Sequence, residues 1–150
     1  MAISLTPGGS VFLDTAYAVA LASSTDAYHH HALALADELE ATGTHLVTTW
    51  GVLLEIGNAL SKIQYRHAAL QLLSSLQRDV SVEIVPLSAP LLQRAVTLYA
   101  ERPDKEWGLT DCISFVVMEE RGIRDALTAD EHFKQAGFQP LLREAKGSQT

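Results

Sequence analysis

The sequence predicts an α/β fold: three layers, with helices over both faces of a short, mostly parallel central sheet of four to five strands. Three observations point there. Short apolar runs of strand length recur at 10–13, 45–48, 82–86 and 126–128. Each is followed by a segment with helical spacing of Ala and Leu, the alternation that builds parallel sheets with helical crossovers. The chain has 150 residues, 47% hydrophobic and 19% charged. That size and balance suit one domain with a substantial core and exclude a disordered or fibrous chain.

The elements follow in order. Residues 1–9 read as a flexible leader with Pro7-Gly8-Gly9, and 10–13 as a short buried strand. Asp14-Thr15 closes it, and 16–21 form the first helical turns. Residues 28–41 carry high helix propensity, and Gly43 supplies the stop. After the strand at 45–48, Thr48 or Thr49 can cap a helix over 50–63. A leucine-rich helix over 67–76 follows, then a strand at 82–86 ended by proline. Ser88 caps a helix through Tyr99-Ala100, and 102–109 form a charged loop. Thr110 reads as the cap of a helix to Glu120, which Gly122 stops. A strand at 126–128, a helical turn at 131–133 and a last strand at 140–142 complete the domain. The domain is expected over 10–145 and a flexible tail over 146–150.

Charge and composition narrow the function. Eleven basic against 18 acidic residues give a net charge of −7. A bulk electrostatic grip on nucleic acid or anionic lipid is therefore not expected. The single cysteine, Cys112, cannot form an intrachain disulfide, so a reducing cytoplasm is the expected setting. No secretory leader is expected, and the apolar stretch 11–22 is too short for a membrane span and is broken by Asp14. No G-x-G-x-x-G or Walker loop occurs, which disfavours a dinucleotide or P-loop enzyme.

Parallel sheets bind ligands at the carboxyl ends of their strands. Asp14 follows the first predicted strand, Asp130 lies near the end of the fourth, and Asp111 starts a helix. Each can be read simply as a helix-starting residue, because helix N-termini favour anions by about 0.3–1 kcal/mol. Glu55 lies at the margin of the apolar arc Val52, Ile56, Ala59, Leu60 and Ile63, where it could be a rim residue. Leu54 lies opposite that arc, as on a helix covered on two sides. If these carboxylates converge, they repel unless a cation or protons intervene. Hard oxygen ligands suit Mg²⁺ or Mn²⁺ rather than Zn²⁺. An acidic cluster with such an ion is suited to cutting phosphodiesters.

Four ordered segments carry a family resemblance. They are Val11-Phe12-Leu13-Asp14-Thr15, Leu54-Glu55-Ile56-Gly57-Asn58-Ala59-Leu60, the run from Asp104 through Trp107-Gly108-Leu109-Thr110-Asp111-Cys112-Ile113-Ser114-Phe115, and Ala126-Leu127-Thr128-Ala129-Asp130-Glu131-His132-Phe133. Asp26, His29 and Ala32 add a D-x-x-H-x-x-A stretch. In this order the chain resembles the PIN-domain ribonucleases, specifically the VapC-type toxins of bacterial toxin–antitoxin pairs. The resemblance implies that Asp14, Glu55, Asp111 and Asp130 bind metal and serve catalysis. Asp104 matches a less constant acidic position, and Gly108 stands where serine is frequent. Thr15, Asn58 and Thr110 become candidates to orient carboxylates or water. The implied activity is Mg²⁺- or Mn²⁺-dependent hydrolysis of RNA, leaving 5′-phosphate and 3′-hydroxyl ends. The implied partners are the RNA substrate, a cognate antitoxin and a second copy in a homodimer, with no membrane.

Other residues carry plainer readings. Three adjacent histidines, His29-His30-His31, point about 100° apart on a helix and do not converge on one ion; they read as a solvated helix start. Cys112 reads as a buried thiol, and Trp107 as loop packing ahead of base stacking. Arg66, Arg102, Lys105, Arg121 and Arg124 could contact RNA or serve only as surface charge. Leu70, Leu72, Leu73 and Leu76 suit either the core or an antitoxin groove. Two other phosphate chemistries fit less well. A phosphorylated receiver module would want paired acidic residues after the first strand, and an aspartyl phosphatase would want D-x-D where Ala16 stands. A catalytically silent PIN-like RNA-binding or scaffold protein remains the alternative.

Overall fold

The computed structural model describes Leu5 and residues 8–143. In chain order the elements are β1 (Ser10–Leu13), α1 (Thr15–Ala22), α2 (His29–Thr42), β2 (His45–Thr49), α3 (Trp50–Ala59), α4 (Ile63–Arg78), β3 (Val82–Val85), α5 (Ala89–Glu101), α6 (Leu109–Arg121), β4 (Asp125–Leu127), α7 (Glu131–Gln135) and β5 (Gln139–Pro140). The five strands form one sheet in the order β3-β2-β1-β4-β5, and every pair is parallel. The architecture is therefore the helix-flanked parallel sheet the sequence predicts, at five strands.

Parallel pairing puts all carboxyl ends on one edge. The chain winds outward from β1 in both directions, so the switch point lies between β1 and β4, where Leu13 pairs with Leu127. A crevice opens at such a point because the flanking connections leave in opposite directions. Asp14 sits directly above it, its N–H donating to the Leu127 carbonyl at 3.4 Å. Beneath it the central strands are buried almost completely: Phe12, Leu13, Ala126 and Leu127 are each 2% exposed or less. Four aromatic rings extend that core under β4, with Phe133 edge-on to Phe115 at 5.0 Å and Phe115 edge-on to Trp107 at 5.0 Å.

Local chemistry sets helix starts at this edge and helix ends at the opposite one. Thr49 caps α3, its Oγ1 accepting the Val52 N–H at 3.2 Å, and Ser88 caps α5 through the Leu91 N–H at 3.2 Å. Gly43 and Gly122 end α2 and α6 with φ of 64° and 66°, the left-handed region glycine enters without strain. At Gly51 the tight neighbour is the α3 cap itself, while α6 lies at ordinary contact distance. A Cβ there would stand 3.3 Å from Thr49 Oγ1 and 3.6 Å from Thr110 Cγ2.

Several sequence expectations change. The helix expected over 50–63 ends at Ala59, and the next begins at Ile63 rather than 67. Ile63 extends the apolar arc in sequence but is 95% exposed, and Lys62 before it is extended. Leu54 is 59% exposed, so α3 is not covered on that side. Gly108, not Thr110, is the N-cap of α6. The last strand is Gln139–Pro140, not 140–142; Pro140 offers no N–H to prolong a ladder, and 141–143 turn helical. His29 and His31 are half-buried rather than solvated, their Nδ1 atoms bonded to the carbonyls of Ala20 at 2.7 Å and Leu142 at 3.1 Å. Leu5, ahead of the expected domain start, is buried in the core. The tail expected over 146–150 lies outside the described residues.

Candidate metal centre

Four elements bring carboxylates to the carboxyl edge of the sheet. Asp14 occupies the N-cap position of α1, yet its side chain makes no capping hydrogen bond. It is instead 6% exposed, and Thr128 Oγ1 donates to its Oδ2 at 2.8 Å. The plain helix-start reading therefore does not account for it. Burial pushes its pKa up to about 7, and Asp111 and Glu55 push the same way, while Thr128 and the Thr15 N–H oppose. A buried carboxyl in the field of two others has reason to bind a proton or a cation.

Thr128 is the joint of this edge. The residue is fully buried, and its hydroxyl donates to Asp14 while accepting the Asp130 N–H at 3.0 Å. One side chain thus ties the end of β1 to the turn after β4. Glu55, on α3, is half-buried and accepts the Thr15 hydroxyl through Oε1 at 2.9 Å. Thr15 begins α1, so this bond fixes Glu55 beside Asp14.

Asp111 and Asp130 do serve their helices. Asp111 Oδ2 accepts the Gly108 N–H at 3.1 Å, and Asp130 Oδ1 accepts the His132 N–H at 2.9 Å. Both also face the His132 ring, whose Nδ1 lies 2.9 Å from Asp111 Oδ2 and 3.5 Å from Asp130 Oδ1. Ligand atoms of Asp111, Asp130 and His132 all lie within 4.8 Å of one another. Burial alone would lower the His132 pKa, but the Asp111 hydrogen bond and the charges of Asp130, Asp111 and Glu106 hold it above its ordinary value.

The donor set fits a hard divalent cation. On Glu55, Asp111 and Asp130 the hydrogen bonds fall on one carboxylate oxygen. Among the described residues the other oxygen of each has no protein partner. Each carboxylate is thus anchored by one atom and offers the second. Oxygen donors of this kind suit Mg²⁺ or Mn²⁺.

The remaining predicted residues divide. Asp104 is exposed and gripped by Arg102 at 3.0 and 2.9 Å, which, with Lys105 nearby, holds its carboxyl down to about 2. Like Asp14 and Glu55 it lies outside the Asp111–Asp130–His132 group, but unlike Glu55 and Asp111 it adds no repulsion at Asp14. Thr110 is half-buried at the start of α6, and Asn58 is exposed one turn beyond Glu55; the hydroxyl of the first and the amide of the second bond no described residue. Trp107 is buried, donating Nε1–H to Gln135 at 3.0 Å, so it packs the loop. Arg121 pairs with Glu83, Arg66 with the Ser61 carbonyl and Arg124 with the Gly137 carbonyl. From sequence, His132 and Phe133 read as a positioning turn after Asp130 with Phe133 in the core; the bonds of Thr128 to Asp14 and of His132 to Asp111 are not foreseen. The T-x-D-x-H spacing was their signal, since a hydroxyl two residues before an aspartate forms a local turn.

The chain matches the PIN domain family over residues 11–139. It belongs to that family. The 23S rRNA-specific endonuclease VapC20 of Mycobacterium tuberculosis is 27% identical over 128 residues, 85% of this chain and 95% of that protein. The crystal structure of VapC20, described as a Sarcin-Ricin loop cleaving toxin, superposes with a TM-score of 0.75 over the same shares of each chain. VapBC2 from Rickettsia felis, solved bound to a DNA fragment from its promoter, shares the fold, with a TM-score of 0.62 and 18% identity over 87% of this chain and 96% of that one. Among the described residues no helix is long and apolar enough to cross a membrane.

Proposed function

We propose that this PIN-domain protein is a metal-dependent endoribonuclease and the toxin of a toxin–antitoxin pair. The observation that carries the proposal is Asp14: a buried carboxylate at the sheet's switch point, free of any capping role and in the field of Asp111 and Glu55. Family membership and the rRNA-cutting activity of VapC20 support the reading.

In this reading Asp14, Glu55, Asp111 and Asp130 are the catalytic and metal-holding residues. When bound, Mg²⁺ or Mn²⁺ supplies the positive charge that draws the scissile phosphate and acidifies the attacking water. The protein's part is to hold its carboxylates still. Thr15 fixes Glu55, and Thr128 fixes Asp14 and the Asp130 backbone. Thr110 and Asn58 are assigned to orient water or substrate, and Asp104 to contribute charge at the margin. The acidic surface also suits a basic antitoxin, which opposite charge would steer toward it. The toxin acts on RNA in the cytoplasm, as a homodimer when free.

The test is incubation of total cellular RNA with the protein in Mg²⁺, in Mn²⁺ and in EDTA, followed by mapping of new 5′ ends. Discrete 5′-phosphate ends that need metal are expected. Intact RNA in all three, with calorimetry showing no metal bound, would mark a silent PIN-like module instead.

A further inference from the structure

We propose that His132 is a positioning residue that selects which oxygen of Asp111 faces the divalent ion. The inference rests on the metal-centre reading above and adds a residue to it. His132 reaches two carboxylates from different elements. Its backbone N–H holds Asp130 Oδ1 at 2.9 Å, within its own turn. Its ring Nδ1 holds Asp111 Oδ2 at 2.9 Å, on α6, 21 residues away in sequence. Asp111 Oδ2 accepts a second bond from the Gly108 N–H at 3.1 Å.

Two donors on one oxygen decide the rotation of the carboxylate. The Gly108 bond alone fixes a distance but lets the group swing about it. The His132 bond adds a second direction, so Oδ1 is the oxygen left for a cation. Because an ionised carboxylate only accepts, the ring must carry its hydrogen on Nδ1. Phe133, the next residue, is fully buried against Phe115 of α6 at 5.0 Å, so the turn that presents the ring is anchored to the helix that presents Asp111.

Two substitutions separate this role from bulk or charge. His132→Leu removes the donor and keeps an apolar side chain of similar reach. His132→Asn keeps an N–H donor at the same number of bonds from Cα as Nδ1, but cannot carry a charge. Phe138→Leu thins the same aromatic core through its contact with Phe115, outside the turn that presents the ring, and serves as the structural control. Mn²⁺ affinity is measured by calorimetry on the full chain at a temperature where all variants are folded. The expected result is a loss of about tenfold or more in His132→Leu, the scale of lost ligand-orienting bonds. Recovery toward wild type is expected in His132→Asn, with Phe138→Leu near wild type. The same order is expected in the metal concentration that half-saturates cleavage. Wild-type affinity in His132→Leu, or an equal loss in His132→Asn, would overturn the proposal while leaving the metal centre standing. Absence of Mn²⁺ binding in the wild type would overturn both.

Discussion

Asp14 shows how one side chain stores the conflict that a metal ion resolves. Its folded pKa is raised from 3.8 to about 7. The unfolded chain gives up the proton at lower pH, so between those values the native state holds more protons. Stability of the metal-free protein therefore falls as pH rises from about 4 to about 7. Asp14→Asn removes the titration, so in EDTA it is expected to exceed wild type in stability at pH 8, on the order of 2–4 kcal/mol, with the gap closing toward pH 4. Urea unfolding of both proteins at the two pH values checks this. Thr128 carries the opposite prediction. Thr128→Val keeps the volume but strands the Asp14 oxygen and the Asp130 N–H. It is expected to cost about 1–3 kcal/mol, read as a lower urea midpoint with unchanged slope.

At the scale of elements, most caps and helix-stopping glycines are legible in the sequence, the α6 cap excepted, and joints are not. Thr49 and Ser88 begin helices, and Gly43 and Gly122 end them, where the sequence places them, because capping depends on a few adjacent atoms. The α3–α4 boundary was misread because Ile63 continues an apolar spacing while its side chain points into water. Periodicity reports which residues could share a face, not whether anything covers it. Gly122 carries the prediction at this scale. Its φ of 66° lies where nothing stands within 4 Å of an added Cβ, so Gly122→Ala meets backbone strain alone. A loss of about 1–2 kcal/mol is expected, with metal affinity unchanged, since α6 is anchored at its other end by Asp111.

Over the whole molecule, the parallel sheet makes distant carboxylates neighbours. Asp14 and Asp130 are far apart in sequence, yet the β1–β4 pairing and one threonine join them. The alternation of strand and helix gave the fold class, and the strand-end rule gave Asp14 and Asp130. Glu55 and Asp111 read locally only as a helix-margin and a helix-start carboxylate, and the resemblance assigned them to the metal, since α3 and α6 reach the edge by helix packing that no local pattern records. His132 reads from sequence only as part of a positioning turn after Asp130, because its partner, Asp111, lies on another element. Linkage supplies the prediction here: an ion bound only by the native state adds about 2.7 kcal/mol at a hundred times its dissociation constant. Mn²⁺ is therefore expected to raise the melting temperature of wild type by roughly 5–10 °C and that of Asp14→Asn by little.

The central claim is that these carboxylates cut RNA with a divalent ion. The most direct measurement is the cleavage rate of a labelled RNA containing a mapped site, for wild type and Asp14→Asn side by side at saturating Mn²⁺ and in EDTA. Cleavage by wild type that EDTA abolishes and Asp14→Asn lacks, with the variant folded, is the predicted result. Cleavage by Asp14→Asn at the wild-type rate, or cleavage undiminished in EDTA, would contradict it.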